Sequence, residues 1–307
     1  MHHDTVTAIL LSTVLASTPM LFAALGELVT EKSGVLNLGV EGMMLIGAVI
    51  GFVVTAATGS AILGVILAAV AGALASGIFG VLTLLLLANQ VACGLALTIF
   101  GIGLSALIGK PFIGKPLSAL PQLHISGLSD IPVIGPLIFG QDALVYISIL
   151  MAIAVHLFLN RTRQGLIVRA VGESHDAAHA LGYPVVGIRF LAVMFGGAMS
   201  GIGGSYLSLA YTPLWSEGMT AGRGWIALAC VTFSTWRSAR VVLGAYLFGF
   251  FTIAQLHAQA LNVPIPPEFL SMAPYLATVL VLVIISRDAT RIRMHAPASL
   301  GRVFHGG

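Results

Sequence analysis

Apolar stretches long enough to cross a bilayer recur along this chain, and that pattern constrains its fold more than any other feature. A hydrocarbon core about 30 Å thick calls for roughly 20 apolar residues in one helix. Nine stretches approach that length: 6–25, 35–57, 61–87, 91–109, 143–159, 187–210, 224–236, 241–260 and 269–286. In lipid each backbone N–H and C=O must find its partner within the protein, so such runs read as α-helices. Only 8% of the 307 residues are charged and 58% are hydrophobic, whereas an ordinary soluble domain is about 25% charged. A soluble enzyme lacks its polar surface here, and a disordered or nucleic-acid-binding chain lacks its charge. The expectation is an all-α, polytopic membrane helix bundle of about nine spans (8–10), built as a single transmembrane domain over residues 1–307.

Placing the cations orients the bundle. With the 160–186 loop in the cytoplasm, that side receives Lys32, Arg161, Arg163, Arg169, Arg189, Arg237, Arg240, Arg287, Arg291, Arg293 and Arg302. The outer side receives Lys110, Lys115 and Arg223. Such a bias obeys the positive-inside rule and puts the C-terminus in the cytoplasm. Nine spans then put the N-terminus outside. Its first residues, Met1-His2-His3-Asp4, lack the basic region of a secretory signal, so the first stretch reads as a span. The Pro/Gly-rich loop of about 110–142 faces outward, with room for a short re-entrant or interfacial element.

Several motifs carry less than they suggest. Gly109 to Lys115 matches most of a phosphate-binding loop, but Pro116 stands where Ser or Thr would hold magnesium, and no strand precedes it. Cys93 and Cys230 lie in apolar runs without partner ligands and read as buried free thiols. Small residues recur every four positions at Gly72, Ser76 and Gly80, and again at Gly197, Gly201 and Ser205. Such stripes let helix backbones approach closely in lipid. No metal-ligand or catalytic constellation stands out, which points away from an enzyme.

Two polar features carry more. Asn37 and Glu41 stand four residues apart, so they are expected to share one helix face in the second span. An acid within a span is costly, so Glu41 reads either as a group on a solute path or as a brace for a broken helix. It is expected to be the only acid deep in a span. Asn89 and Gln90, at the start of the fourth span, either line a path or cap a helix. The 160–186 loop holds a short helix capped by Ser174, with Asp176 near its positive end, stopped by Gly182 and Pro184. Its size and its small residues suit docking into a groove on another protein, although on physics alone an ordinary inter-helix loop is the favoured reading.

The strings Ala24-Leu25-Gly26-Glu27 and Glu31-Lys-Ser-Gly-Val-Leu-Asn37-Leu-Gly-Val-Glu41-Gly-Met-Met44 resemble the permease subunits of nucleoside-type ABC importers. These belong with the branched-chain amino acid and ribose permeases. Arg169-Ala-Val-Gly172-Glu173 with Ala177, Ala178 and Gly182 is similar to the family's ATPase-coupling loop. Gly222-Arg-Gly-Trp-Ile-Ala-Leu-Ala229 and Leu243-Gly-Ala-Tyr-Leu-Phe-Gly249 also fit, so the resemblance runs from about residue 6 to 287. Ser174-His175 departs from the Asn-Pro that relatives often show.

The resemblance implies import of nucleosides or related purine and pyrimidine solutes, with a simple sugar such as ribose or a branched-chain amino acid as the alternative cargo. A stand-alone secondary transporter is the remote alternative. No cofactor is expected on this chain; ATP and magnesium belong to a partner ATPase. Further implied partners are an extracytoplasmic solute-binding protein and a second, longer permease subunit, in a bacterial plasma (inner) membrane and with no nucleic acid. The coupling loop would comprise Gly172, Glu173, Asp176, Ala177, Ala178 and Gly182.

Overall fold

A computed structural model describes residues 2–118, 120–123, 129, 135–261 and 296–305, with isolated positions from 266 to 283. These residues form ten α-helices: α1 (His2–Lys32), α2 (Val40–Thr58), α3 (Ala61–Gly80), α4 (Gln90–Gly109), α5 (Ala143–Arg161), α6 (Arg163–Glu173), α7 (His175–Ala180), α8 (Val185–Tyr206), α9 (Arg223–Phe233) and α10 (Ser238–Ala260). Short π-helical turns extend α3 through Leu85 and α8 through Tyr211. Among the described residues, the pairings outside helices are two isolated bridges, Pro116 with Leu214 and Gln122 with Asp142.

The polar residues that interrupt the apolar runs become helix caps. A helix leaves its first four N–H groups unpaired, and a side-chain oxygen just before it satisfies them. Ser60 accepts from the Leu63 amide, Asn89 from Ala92, Asp142 from Leu144 and Val145, Thr162 from Gly165, and Ser174 from Ala177. A few short polar side chains therefore set the boundaries of five helices. At the other end of α2, Gly59 turns the chain in a left-handed conformation (φ +71°).

Seven of the helices are long and apolar enough to cross a membrane: α1, α2, α3, α4, α5, α8 and α10. α1, α2 and α8 form the centre, with Phe22, Met43, Phe52 and Tyr206 fully buried. α3, α4, α5 and α10 surround them and turn Leu74, Ile99, Leu107, Leu150 and Leu243 outward. Apolar groups this exposed fit a lipid environment, where they cost nothing. The two small-residue stripes meet each other. A Cβ on Gly72 would collide with the Gly197 carbonyl, one on Gly197 with Ser76, and one on Gly201 with the Ala68 carbonyl. Glycine at these positions lets α3 and α8 lie in backbone contact.

The structure corrects four expectations. α1 continues past residue 25 to Lys32, so Glu27 and Glu31 both lie within a helical span, and Glu41 is not alone. α2 begins at Val40, leaving Asn37 before the helix rather than on one face of it with Glu41. The expected span 224–236 is an 11-residue helix, α9; at 1.5 Å per residue it covers about 16 Å, half the bilayer core. Cys93 is half-exposed, while Cys230 is buried. Half of the expected ninth span, 269–286, lies outside the described residues, as does part of the 110–142 loop.

Candidate functional site

Two polar regions stand out from the apolar bundle. The first is a buried seam between α1, the 33–39 connection, α2 and α9. Glu41, in the first turn of α2, accepts hydrogen bonds from Thr220 Oγ1 at 2.5 Å and the Gly222 amide at 2.9 Å on Oε1. The Gly224 amide donates to Oε2 at 2.6 Å. These donors form the open N-terminus of α9, whose partial positive charge favours an anion. A Cβ on Gly224 would fall against the Glu41 backbone, so glycine there is what lets the two helices meet.

Further hydrogen bonds run along the rest of the seam. Asn37 folds back, its Oδ1 accepting from the Gly39 amide at 2.8 Å, while its own amide donates to Glu27 Oε1 at 3.2 Å. Gln90 Oε1 accepts from the Leu36 amide at 2.8 Å. Glu31 Oε2 accepts from Trp236 Nε1 at 2.5 Å, linking α1 to the turn after α9. Asn37, Glu41 and Gln90 are thus brought together along one seam and buried, whereas Asn89 is an exposed cap. The sequence does not show Glu27 and Glu31 to lie within a span, since the apolar run thins after residue 25, and nothing local marks Trp236 as the partner of Glu31.

The second region is the face carrying α6 and α7. α7 is six residues long, with Asp176, Ala177, Gly182 and Leu181 exposed, and His175 and Ala178 buried. Gly172 packs so tightly on the Lys32–Gly34 turn that a Cβ would collide with the Lys32 carbonyl. Glu173 is exposed at the end of α6. The six residues expected in a coupling loop therefore divide into two groups: Gly172 and Ala178 pack inward, and Glu173, Asp176, Ala177 and Gly182 face outward. Arg189 was missed as a site residue. It is 1% exposed, and its Nη2 donates to His175 Nδ1 at 3.1 Å. Burial, then the Arg189 guanidinium, pulls the His175 imidazole below its ordinary pKa, so it stays neutral and can accept that bond.

A cavity of about 590 Å³ lies beneath this face, walled by Val29, Met151, Phe158, Val168, Ile188 and Phe195. Its lining is almost wholly apolar, so hydroxyl groups placed there would lose their hydrogen bonds. Lys115 of the phosphate-loop look-alike instead sits over the Phe112 ring, 5.3 Å from its centre. Among the described residues no group of three or more His, Cys, Asp or Glu side chains is gathered to hold a metal ion.

Comparison with known proteins agrees with this architecture. The chain is 40% identical to the putative glucose ABC transporter permease protein TsgC13 of Haloferax volcanii, over 94% of each chain. It is 33% identical to the nucleoside ABC transporter permease protein NupC of Lactococcus lactis subsp. cremoris, covering 91% of this chain and 92% of that one. Identity to the guanosine ABC transporter permease protein NupQ of Bacillus subtilis is 31%, covering 88% and 89%. No solved structure matches the chain. The family described as "Branched-chain amino acid transport system / permease component" matches residues 9–285, and with seven membrane-length helices the chain belongs to that family of ABC transporter permeases as a multi-pass membrane protein.

Proposed function

We propose that this chain is the membrane-path subunit of an ABC importer for nucleosides, and that α6–α7 is the element on which its ATPase docks. The observation that carries this reading is the division of the α7 helix. One side is anchored through His175 and Ala178, with Gly172 of α6 beside them, and the other presents Asp176 and Ala177 to solvent, followed by the exposed Gly182. A docking lever needs both properties. The described cations on the α7 side are Lys32, Arg161, Arg163, Arg169, Arg189, Arg237, Arg240 and Arg302, which supports assigning it and the C-terminus to the cytoplasm.

In this reading a solute-binding protein delivers cargo to the outer face, and a second permease subunit completes the path. ATP and magnesium act on the partner ATPase, whose closure moves α7 and the spans attached to it. Nucleoside cargo is supported by the resemblance of residues 24–44 to nucleoside-type permeases, and by relatives named for nucleoside and guanosine transport. A simple sugar is the second reading, favoured by the relative named as a putative glucose permease at 40% identity. Both cargoes are neutral and polar, which suits a seam in which Glu31 and Glu41 already accept hydrogen bonds from within the protein.

Ala177→Arg tests docking, because it enlarges the exposed side of α7 without touching the anchored one. The expected result is a subunit that still inserts but no longer retains the ATPase; undiminished ATPase binding would remove α7 from that role. Gly172→Arg is unsuitable, since it would dislodge α6 from α1. For the cargo, the assembled importer is reconstituted with its binding protein and offered radiolabelled guanosine, ribose or glucose. Guanosine uptake is expected, and uptake of a sugar alone would favour the second reading.

A further inference from the structure

The C-terminal residues 296–305 lie back across α6 and α7. The Ser299 amide donates to the Gly172 carbonyl at 2.9 Å, and Ser299 Oγ donates to the Glu173 carbonyl at 3.2 Å. The Gly301 amide reaches the Gly34 carbonyl at 3.2 Å. Arg189, in the second turn of α8, joins the same place from beneath. Its Nε donates to the Ser33 carbonyl at 3.1 Å and its Nη1 to the Arg302 carbonyl at 3.2 Å, while Nη2 holds His175. The Phe304 ring then closes over α7, with its centre 5.3 Å from the rings of both His175 and His179. Beneath it, Val171, Ala178 and Val185 complete a small buried apolar cluster.

A helix of six residues cannot hold its own shape in water, because the cost of nucleation exceeds what its few hydrogen bonds return. The direction of α7 must therefore come from what packs on it. On its inner side it offers one alanine and one histidine, which bury little. Phe304 supplies the large apolar surface that the helix itself lacks. The same segment also bonds the turn after α1 and, through Arg189, the start of α8.

We propose that residues 296–305 form a strap that makes α7 rigid with α1 and α8 together, and that Phe304 is its positioning residue. A push on α7 is then delivered stiffly to both central spans. This rests on the reading of α6–α7 as the docking element, but the strap can be tested without it.

The test uses Phe304→Ala, Phe304→Leu and a deletion of residues 303–307 in the full-length permease in lipid nanodiscs. Amide hydrogen exchange over 174–182 is expected to rise roughly tenfold or more in Phe304→Ala and in the deletion, and to stay near the parent rate in Phe304→Leu. In the assembled importer, the first two are expected to hydrolyse ATP with severalfold less uptake per ATP, and Phe304→Leu to restore the ratio. Unchanged exchange in Phe304→Ala and in the deletion overturns the strap. Loosened α7 with an unchanged uptake-to-ATP ratio overturns its mechanical role. If Ala177→Arg leaves ATPase binding intact, the docking reading fails, while the exchange measurement still decides the strap.

Discussion

Glu41 Oε2 accepts the Gly224 amide at 2.6 Å, joining two residues 183 positions apart in the chain. This one contact accounts for a helix that would otherwise have no place in a bilayer. α9 crosses about half the hydrocarbon core, so its N-terminus ends in protein with unpaired N–H groups that lipid cannot satisfy. A carboxylate supplied by α2 pairs two of those amides and the Thr220 hydroxyl. The same charge lies in the first turn of α2, where that helix also favours an anion. The half-span α9 is thus completed by a full span, α2, whose carboxylate supplies the acceptor that the N-terminus of α9 lacks.

Replacing this carboxylate with an amide should show its role. Glu41→Gln keeps one acceptor and puts an NH2 group against donors, at a cost of about 1–3 kcal/mol for a buried donor left unpaired. The expected outcome is a lower Tm and folded yield in detergent, with solute selectivity unchanged. Altered selectivity at parent stability would instead put Glu41 on the solute path.

Trp236→Phe removes the donor to Glu31 while keeping most of the ring's volume. The stranded carboxyl oxygen is again expected to cost about 1–3 kcal/mol. In a thermal-unfolding comparison, Trp236→Phe combined with Glu31→Leu should lose less than the two single variants summed, because the pair fails together. Strict additivity would mean that the bond contributes little.

The α3–α8 contact predicts a sharp contrast between two glycines. Gly72→Ala places a methyl group into the Gly197 carbonyl, and overpacking of this kind costs about 1–3 kcal/mol. On α4 a Cβ at Gly103 meets nothing within 4 Å, so Gly103→Ala should be neutral, or stabilising by up to about 1 kcal/mol from helix propensity. Tm measured for both variants in the same detergent decides the point.

The strap should be sensitive to acid. His175 faces Asp176 and His179 on its own helix, Arg189 on α8 and Arg302 on the C-terminal segment. Burial, then Arg189, lowers its pKa, with Asp176 opposing. A histidine lowered in the folded state contributes stability that is fully present above its ordinary value of 6.5, and that is lost as pH falls through the window below it. Amide protection of 296–305 is therefore expected to hold above about pH 6.5 and to drop as the pH falls below it. His175→Gln should flatten that dependence. Equal pH sensitivity in the variant would assign the effect to another group.

Much of this molecule was legible in its sequence. Length and hydropathy of each run define a helix in lipid, because only a helix pairs its backbone polar groups within the run itself. Single polar residues such as Asn89 and Ser174 mark helix starts through the N–H groups they satisfy, and the glycine and serine stripes of α3 and α8 announced close packing. The resemblance of residues 24–44 identified the family. What sequence periodicity misjudged were places where a polar group finds its partner far along the chain. Glu27 and Glu31 looked like the end of a span because an unpaired acid would end one; Trp236 and the Asn37 backbone amide keep them inside. The 224–236 run looked like a weak span, whereas it is half a span completed by Glu41. The strap was invisible for the same reason: Phe304, His175 and Arg189 carry no local signal that they meet. Local propensity and solvent preference follow from one stretch of chain, but the satisfaction of a buried charge depends on what the fold brings beside it, and only the tertiary structure decides that.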